Sequence, residues 1–398
     1  MKVLTIIQKK LPLITSTMHS KRRNALSMCV YSLLSSNRAT VTSIGRGIDS
    51  HAFEKHRIKQ ADRLLSNNNL HQERHSIYQA LLTQNVGQNR RPIILVDWSD
   101  LDKCRRHFLI RATLVSHGRG LCLYEEIHCG KTKEKPTTHK AFLKKLKQLL
   151  PAHCIPIIVS DAGFKTPWFK SVLDLGWDFV GRVRKPCYYT RDGEQWQNIT
   201  QLYKQATSRA KSFAGQIVRS NPFACELVLI KQKSQERIAL NAFGDKKQSS
   251  HSKKHSQSAD DPWLLATSLI NTHNFAKRIV KIYRMRMQIE EGFRDMKSHR
   301  FGQGFEDNKT KDMRRLVILI LLTTITHWLL MIFGMIAKLE NKHRHYQANS
   351  IKTSNVLSLA FIGFRVVVDK RFKLKIRWFE EAIYHLQKTS IKDSASVL

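Results

Sequence analysis

The sequence predicts an α/β protein built from several domains. Three observations predict it. Two apolar, strand-like runs, residues 92–97 and 155–161, each end in an acid, Asp97 and Asp161. Between and after them, short strand-like runs alternate with helix-like segments. The first 85 residues show only short helix-like segments. With 398 residues the chain suits two or three domains, and 42% hydrophobic residues are enough for real cores.

Each element follows in order. Residues 25–34 are an apolar-periodic helix broken by Ser35-Ser36-Asn37. Residues 40–48, with Gly45 and Gly47, form a small second unit. Residues 53–65 form a third that carries Lys55, His56, Arg57, Lys59 and Arg63. Three short helices with a basic third are similar to a helix-turn-helix unit that docks on DNA. Residues 1–85 are therefore predicted as a helical DNA-binding domain, with Lys55, Arg57 and Lys59 as contacts.

Residues 86–183 form the first part of an α/β core. Strands at 92–97, 108–115 and 121–127 make an antiparallel meander, turning at Ser116-His117-Gly118-Arg119-Gly120. Residues 139–150 are an amphipathic helix. The apolar run 155–161 is followed by Ala162-Gly163, a helix at 167–175 and a strand at 177–183. Residues 184–260 are irregular and basic, with strand-like pieces such as 225–231, and read as a β-rich insertion. Within it, residues 246–258 are of low complexity and read as a DNA-facing loop. His251 and His255 have helical spacing for a metal, but their Ser and Lys neighbours favour a solvated loop. Residues 261–340 continue the core, and residues 341–398 form a C-terminal helical region.

Charge narrows the function. The chain has 68 Lys+Arg against 31 Asp+Glu, a formal net charge of +37. Such self-repulsion is tolerable when the partner is a polyanion. The basic residues are spread along the whole chain, so a single basic tail does not explain them. The hydrophobic content argues against a disordered polycation. Seven cysteines, with no CxxC pair, fit free thiols in a reducing cytoplasm better than a zinc site. The N-terminal 15 residues lack the long apolar core of a signal peptide. Residues 316–337 are almost wholly apolar and long enough to span a bilayer. A helix apolar all round is equally the central helix of a large domain.

Residues 283–297 read as one helix. At about 100° per residue, Tyr283, Arg286, Glu290 and Lys297 fall within about 60° of one another, along a stripe about 21 Å long. Glu291 lies about 100° away from Glu290. By spacing alone this stripe is also an ordinary solvated, salt-bridged face. Two upstream acids change its weight. Asp97 sits inside an apolar run and Asp161 ends another, and an unpaired buried charge is costly. Asp100 and Asp102 follow the first run in a polar turn and are weaker candidates. Asp161 before Gly163 is also an ordinary turn former. Two or three convergent carboxylates bind two Mg²⁺ ions for phosphoryl transfer. A meander, a helix, a strand ending in an acid and a later acidic helix fit a ribonuclease-H-like α/β core, interrupted by the β-rich insertion.

These residues resemble those of bacterial insertion-sequence transposases of the Asp-Asp-Glu class. Tyr283, Arg286, Glu290 and Lys297 match the Tyr-x2-Arg-x3-Glu-x6-Lys spacing of the insertion-sequence-four family. Val96-Asp97-Trp98-Ser99-Asp100 and Val159-Ser160-Asp161-Ala162-Gly163-Phe164 resemble the motifs around its first two acids. The resemblance implies a cut-and-paste transposase. Asp97, Asp161 and Glu290 would hold two Mg²⁺ ions, with Mn²⁺ as a substitute. Tyr283, Arg286 and Lys297 would grip phosphates near the cleaved end, and cleavage would pass through a hairpin. Trp263 would stack where a base is flipped out, although a core Trp beside Leu264 and Leu265 is a close competitor. Arg182 and Arg184 would reach DNA. The partners would be double-stranded DNA, as transposon ends and target, and a second copy of the chain in the synaptic complex. The apolar segment 316–337 would be a buried helix, with no membrane span, and the protein would be cytoplasmic and nucleoid-associated. The competing readings are a related metal-dependent nuclease without the hairpin step, and a helix-turn-helix DNA-binding protein whose catalytic site has decayed.

Overall fold

A computed structural model describes residues 2–102, 104–233, 249, 260–300, 302–351 and 353–397. The low-complexity segment 246–258, with His251 and His255, lies outside the described residues apart from Ser249.

In chain order, the helices α1 (Val3–Lys10), α2 (Ser20–Ser36), α3 (Val41–Arg46), α4 (Glu54–Leu65) and α5 (Asn68–Val86) come first. Then follow β1 (Ile93–Asp100), β2 (His107–Leu114), β3 (Leu121–Cys129), α6 (Pro136–Leu149), β4 (Ile157–Ser160), α7 (Thr166–Leu173) and β5 (Asp178–Val183). Next are β6 (Tyr188–Thr190), β7 (Gln197–Asn198), α8 (Thr200–Lys204), β8 (Lys211–Ile217), β9 (Phe223–Ile230) and β10 (Trp263–Thr267). The chain closes with α9 (Phe275–Arg284), α10 (Met287–Lys297), α11 (Met313–Leu339), α12 (Leu359–Val368) and α13 (Trp378–Ala395). The fold is mixed α/β. It divides into two compact units, Met1–Pro156 with Met287–Ser396, and Ile157–Arg286 with Val397–Leu398.

In the first unit, α2, α3 and α4 form a small three-helix cluster. Asn37 ends α2 in the left-handed region at φ 52°, a conformation that Asn tolerates better than most residues. Thr40 caps α3, its Oγ1 accepting from Ser43 N at 3.2 Å. Gly45 lets α3 meet α4 backbone to backbone, since a Cβ there would sit 2.4 Å from Ile58 Cα. α5 has no counterpart in the sequence reading. Its first half, Asn68-Asn-Leu-His-Gln-Glu-Arg-His-Ser76, is polar and hides the apolar face formed by Leu70, Ile77, Leu81 and Leu82.

The strands β1, β2 and β3 form the expected antiparallel meander. Asp97 lies opposite Arg111, and Arg111 opposite Glu125. Cross-strand partners share a face, so these three charged residues form one row across the sheet. α11 is long and apolar enough to cross a membrane, but 89% of its most apolar window is buried inside the protein. It packs on α12, α13, α2 and β3, which accounts for its being apolar all round.

The second unit contains one sheet in the order β4-β5-β10-β9-β8-β6-β7. β4 and β5 pair in parallel, and the remaining pairs are antiparallel. The strands of residues 184–260 thus continue the sheet begun by β4 and β5. α7 packs on β5, and α9 packs on β5, β8, β9 and β10.

The segment 283–297 is not one helix. α9 ends at Arg284 and α10 begins at Met287. Met285 N and Arg286 N each bond three residues back, to Ile282 O and Tyr283 O at 3.1 Å. This tight turn falls where the chain leaves the second unit for the first. Neither Pro nor Gly marks it. Each helix is anchored by its own unit, and that overrides local propensity. Tyr283 therefore sits on α9 and Arg286 in the turn, while Glu290 and Lys297 share α10.

Candidate active site

The first unit holds Asp97 and Glu290 on two packed elements, β1 and α10. Both side chains are half-buried. Asp97 Oδ1 accepts from Trp98 N at 2.8 Å. Trp98 is pinned in turn, its Nε1 donating to His139 Nε2 at 3.0 Å. α10 is fixed along its length. Gln288 Oε1 accepts from Ser116 N at 3.1 Å, and Arg119 Nε donates to Asp295 Oδ2 at 2.7 Å. Glu291 pairs with Arg119 at 3.2 Å and with Arg294, which gives this second acid a structural task. Lys297 Nζ donates to Ser99 Oγ at 2.9 Å and to Asp100 O at 3.1 Å. Burial pushes the Lys297 amine below its ordinary value, against the pull of Asp100. The end of α10 is thus tied to β1 two residues beyond Asp97.

The two weaker acids are occupied otherwise. Asp100 lies within β1 rather than in the turn, and pairs with Arg105 at 3.3 Å and Lys133 at 3.8 Å. Asp102 accepts from Arg106 N at 3.1 Å and His107 N at 2.9 Å. Burial raises its carboxyl, but these hydrogen bonds outweigh it and hold the group below its ordinary value.

In the second unit, Asp161 stands one residue past β4. Its Oδ1 accepts from Gly163 N at 2.8 Å, so it does form the turn that its sequence context predicts. Tyr283 is buried and meets Trp263 edge-on, with ring centroids 4.9 Å apart. Burial pushes the phenol above its ordinary value; Arg286 and Arg182 oppose this and Asp161 adds to it. The Arg286 guanidinium lies 5.7 Å from the Tyr283 ring centroid, and that of Arg182 lies 5.9 Å from the Trp263 ring centroid. Arg182, Arg286, Trp263 and Tyr283 are therefore one cluster, and Asp161 acts electrostatically on its Tyr283. Arg182 is buried, and its Nη2 donates to Asp261 O at 3.0 Å. The Nε atoms of Arg182 and Arg184 are buried without a hydrogen-bond partner among the described residues. Orphaned cationic donors of this kind suit a phosphate oxygen.

The N-terminal helices carry a basic cleft of about 590 Å³, lined by His19, Lys21, Arg22, His56, Lys59 and Arg63. His56, Lys59 and Arg63 share one face of α4 by their spacing of three and four. Lys55 and Lys59 are exposed. Arg57 differs: its Nη1 donates to Arg46 O at 3.0 Å and Ile48 O at 2.9 Å, closing the end of α3.

Sequence reading missed Arg111, Glu125 and His139. Arg111 left a signal, a charge inside a largely apolar strand, whereas Glu125 is followed at once by a second acid, Glu126. Asp97 and Glu290 offer only oxygen donors, the hard set that suits Mg²⁺. Among the described residues, no group of three or more His, Cys, Asp or Glu side chains is assembled for a metal ion. The seven cysteines are all free.

The net charge of +37 and the Nε donors of Arg182 and Arg184, unpartnered among the described residues, suit a polyanionic partner. The family model for the Transposase DDE domain matches residues 88–329, more than half of the chain, and the chain belongs to that family. No curated protein matches it. Membership makes the chain a transposase, an enzyme that acts on DNA.

Proposed function

We propose that this chain is a cut-and-paste DNA transposase of the insertion-sequence-four branch. The single observation that carries the reading is the match to the Transposase DDE domain, whose span includes Asp97, Asp161 and Glu290. The Tyr283, Arg286, Glu290 and Lys297 spacing supports the branch. In this reading the core is ribonuclease-H-like, with a β-rich insertion at residues 184–260 and a helix-turn-helix-like region at residues 1–85.

Asp97, Asp161 and Glu290 are the proposed ligands of two Mg²⁺ ions, with Mn²⁺ able to substitute. Such ions, when bound, make water or a 3′-hydroxyl nucleophilic and stabilise the leaving oxygen. The protein's own groups do the rest. Arg286 and Lys297 neutralise phosphates beside the cleaved bond, as charge-assisted donors. Tyr283, kept protonated by burial, donates a hydrogen bond. The orphaned donors of Arg182 and Arg184 hold a further phosphate. Trp263 offers an aromatic face to a base extruded during hairpin formation, offsetting part of an unstacking cost of a few kcal/mol. The basic cleft, with Lys55 and Lys59, holds the backbone of the transposon end, while Arg57 keeps α3 in place. Two copies act together in the synaptic complex, in the bacterial cytoplasm at the nucleoid, with α11 buried in protein rather than lipid.

The test is cleavage of a duplex taken from the DNA that borders the reading frame, with Mg²⁺ or Mn²⁺. Asp97→Asn, Asp161→Asn and Glu290→Gln are expected to bind this duplex and fail to cut it. Normal cutting by any one of them removes that acid from the site. A hairpin product on a denaturing gel separates this mechanism from that of a plain metal-dependent nuclease.

A further inference from the structure

We propose that the buried Arg111–Glu125 pair is a positioning device that holds Asp97 on β1 and Glu290 on α10 in working register. This rests on the reading of both acids as catalytic. Neither Arg111 nor Glu125 is placed to touch substrate; both are buried under helices of the first unit, 7% and 3% exposed.

The geometry runs from the row across the sheet. Arg111 sits opposite Asp97 on one side and Glu125 on the other. Its Nε donates to Glu125 Oε2 at 2.7 Å. The other Glu125 oxygen accepts from Tyr78 of α5 at 2.7 Å and from Thr324 of α11. The same guanidinium faces α10. It lies 5.2 Å from the Phe293 ring centroid, and its Nη2 meets Met296 Sδ at 3.2 Å. Phe293 and Met296 follow Glu290 by three and six residues and lie on the buried face of α10. One side chain thus contacts the helix that carries Glu290 and stands beside the residue that opens the row.

Stability does not explain the pair. Apolar residues of similar volume commonly replace a buried ion pair at no loss. What apolar packing lacks is direction. A guanidinium fixed by its carboxylate presents one face and one edge to α10, so the helix can settle in only one rotation and height. Catalysis needs that tolerance, because a displacement of about 1 Å can cost about 100-fold in rate.

The experiment compares Arg111→Met/Glu125→Leu and Arg111→Lys with wild type on the same bordering-DNA duplex. Melting, duplex binding, cleavage rate at saturating Mg²⁺ and the Mg²⁺ concentration for half-maximal rate are all measured. The double variant is expected to melt near wild type and bind DNA normally. Its cleavage rate should fall about 100-fold, with the half-maximal Mg²⁺ concentration raised. Arg111→Lys, which keeps the charge but not the fork, should fall between the two. Phe293→Leu leaves the ion pair intact and loosens only the α10 side, and should also raise the Mg²⁺ requirement. Wild-type rate and Mg²⁺ dependence in the folded double variant, or in Phe293→Leu should the double variant not fold, would overturn the proposal. Asp97→Asn runs alongside. If it too cuts normally, the catalytic reading has failed; if it alone is dead, only the positioning role has failed.

Discussion

Burial sets the protonation of several side chains in this protein, and its consequences can be followed with pH. His139 and His327 are both pushed down to about 4 by burial. His139 accepts a hydrogen bond from Trp98, which needs the neutral ring. Their unfolded value is about 6.5. Between these values the unfolded chain binds more protons, so the stability they contribute is complete above pH 6.5 and is lost as pH falls toward 4. Glu126 acts lower. Burial raises its carboxyl, but hydrogen bonds with His128, Lys145 and Tyr124 outweigh this and hold it at about 2. Its contribution is present above the ordinary value of 4.5 and is lost as pH falls toward 2. The melting temperature should therefore already decline between pH 6.5 and 4. His327→Leu, at a buried position whose Nε2 has no partner among the described residues, should flatten that decline in a circular-dichroism melt. An unchanged slope would show that His327 is not a source of it. Single residues also mark how far the sequence could be read. Asp97 stood out because it interrupts an apolar run. Arg111 interrupts an apolar run too, and Glu125 ends one, but their pairing depends on a strand register that sequence spacing does not specify.

At the scale of elements, the largest departure is the division of residues 283–297 into α9 and α10. Its residues are good helix formers, so propensity favours continuity; anchoring in two separate units breaks it. The four-residue spacing therefore does not describe one helical face. A second element-scale feature is the crossing of α11 and α12. A Cβ at Gly334 would lie 2.0 Å from Leu359 O, and one at Gly363 would lie 1.9 Å from Leu330 O. The backbones touch through two glycines on opposite helices. Gly334→Ala or Gly363→Ala should lower stability by about 1–3 kcal/mol through overpacking, read by urea unfolding. Wild-type stability in both variants would mean that the crossing yields without strain. Neither glycine stands out in the sequence, since each is one small residue in a long apolar segment.

For the whole molecule, the charge of +37 makes salt the natural probe. DNA affinity should fall steeply with salt, by about 0.9 log unit per log unit of salt for each phosphate neutralised. Lys59→Gln and Arg63→Gln remove two cations from the basic cleft, and each should reduce that slope by about 1. A slope unmoved by both would take the cleft out of the DNA interface. The amino-acid sequence by itself determined the class of this protein: a cationic α/β chain with an acid inside one strand-like run, a second acid ending another and a four-residue signature further on. Those features are local, and charge, periodicity and spacing are legible without knowing what touches what. Only the tertiary structure decided that the signature spans two helices, that Arg111 lies between Asp97 and Glu125, and that the apolar α11 is covered by protein. Each of these depends on which surfaces meet, and burial and register arise only when distant segments pack.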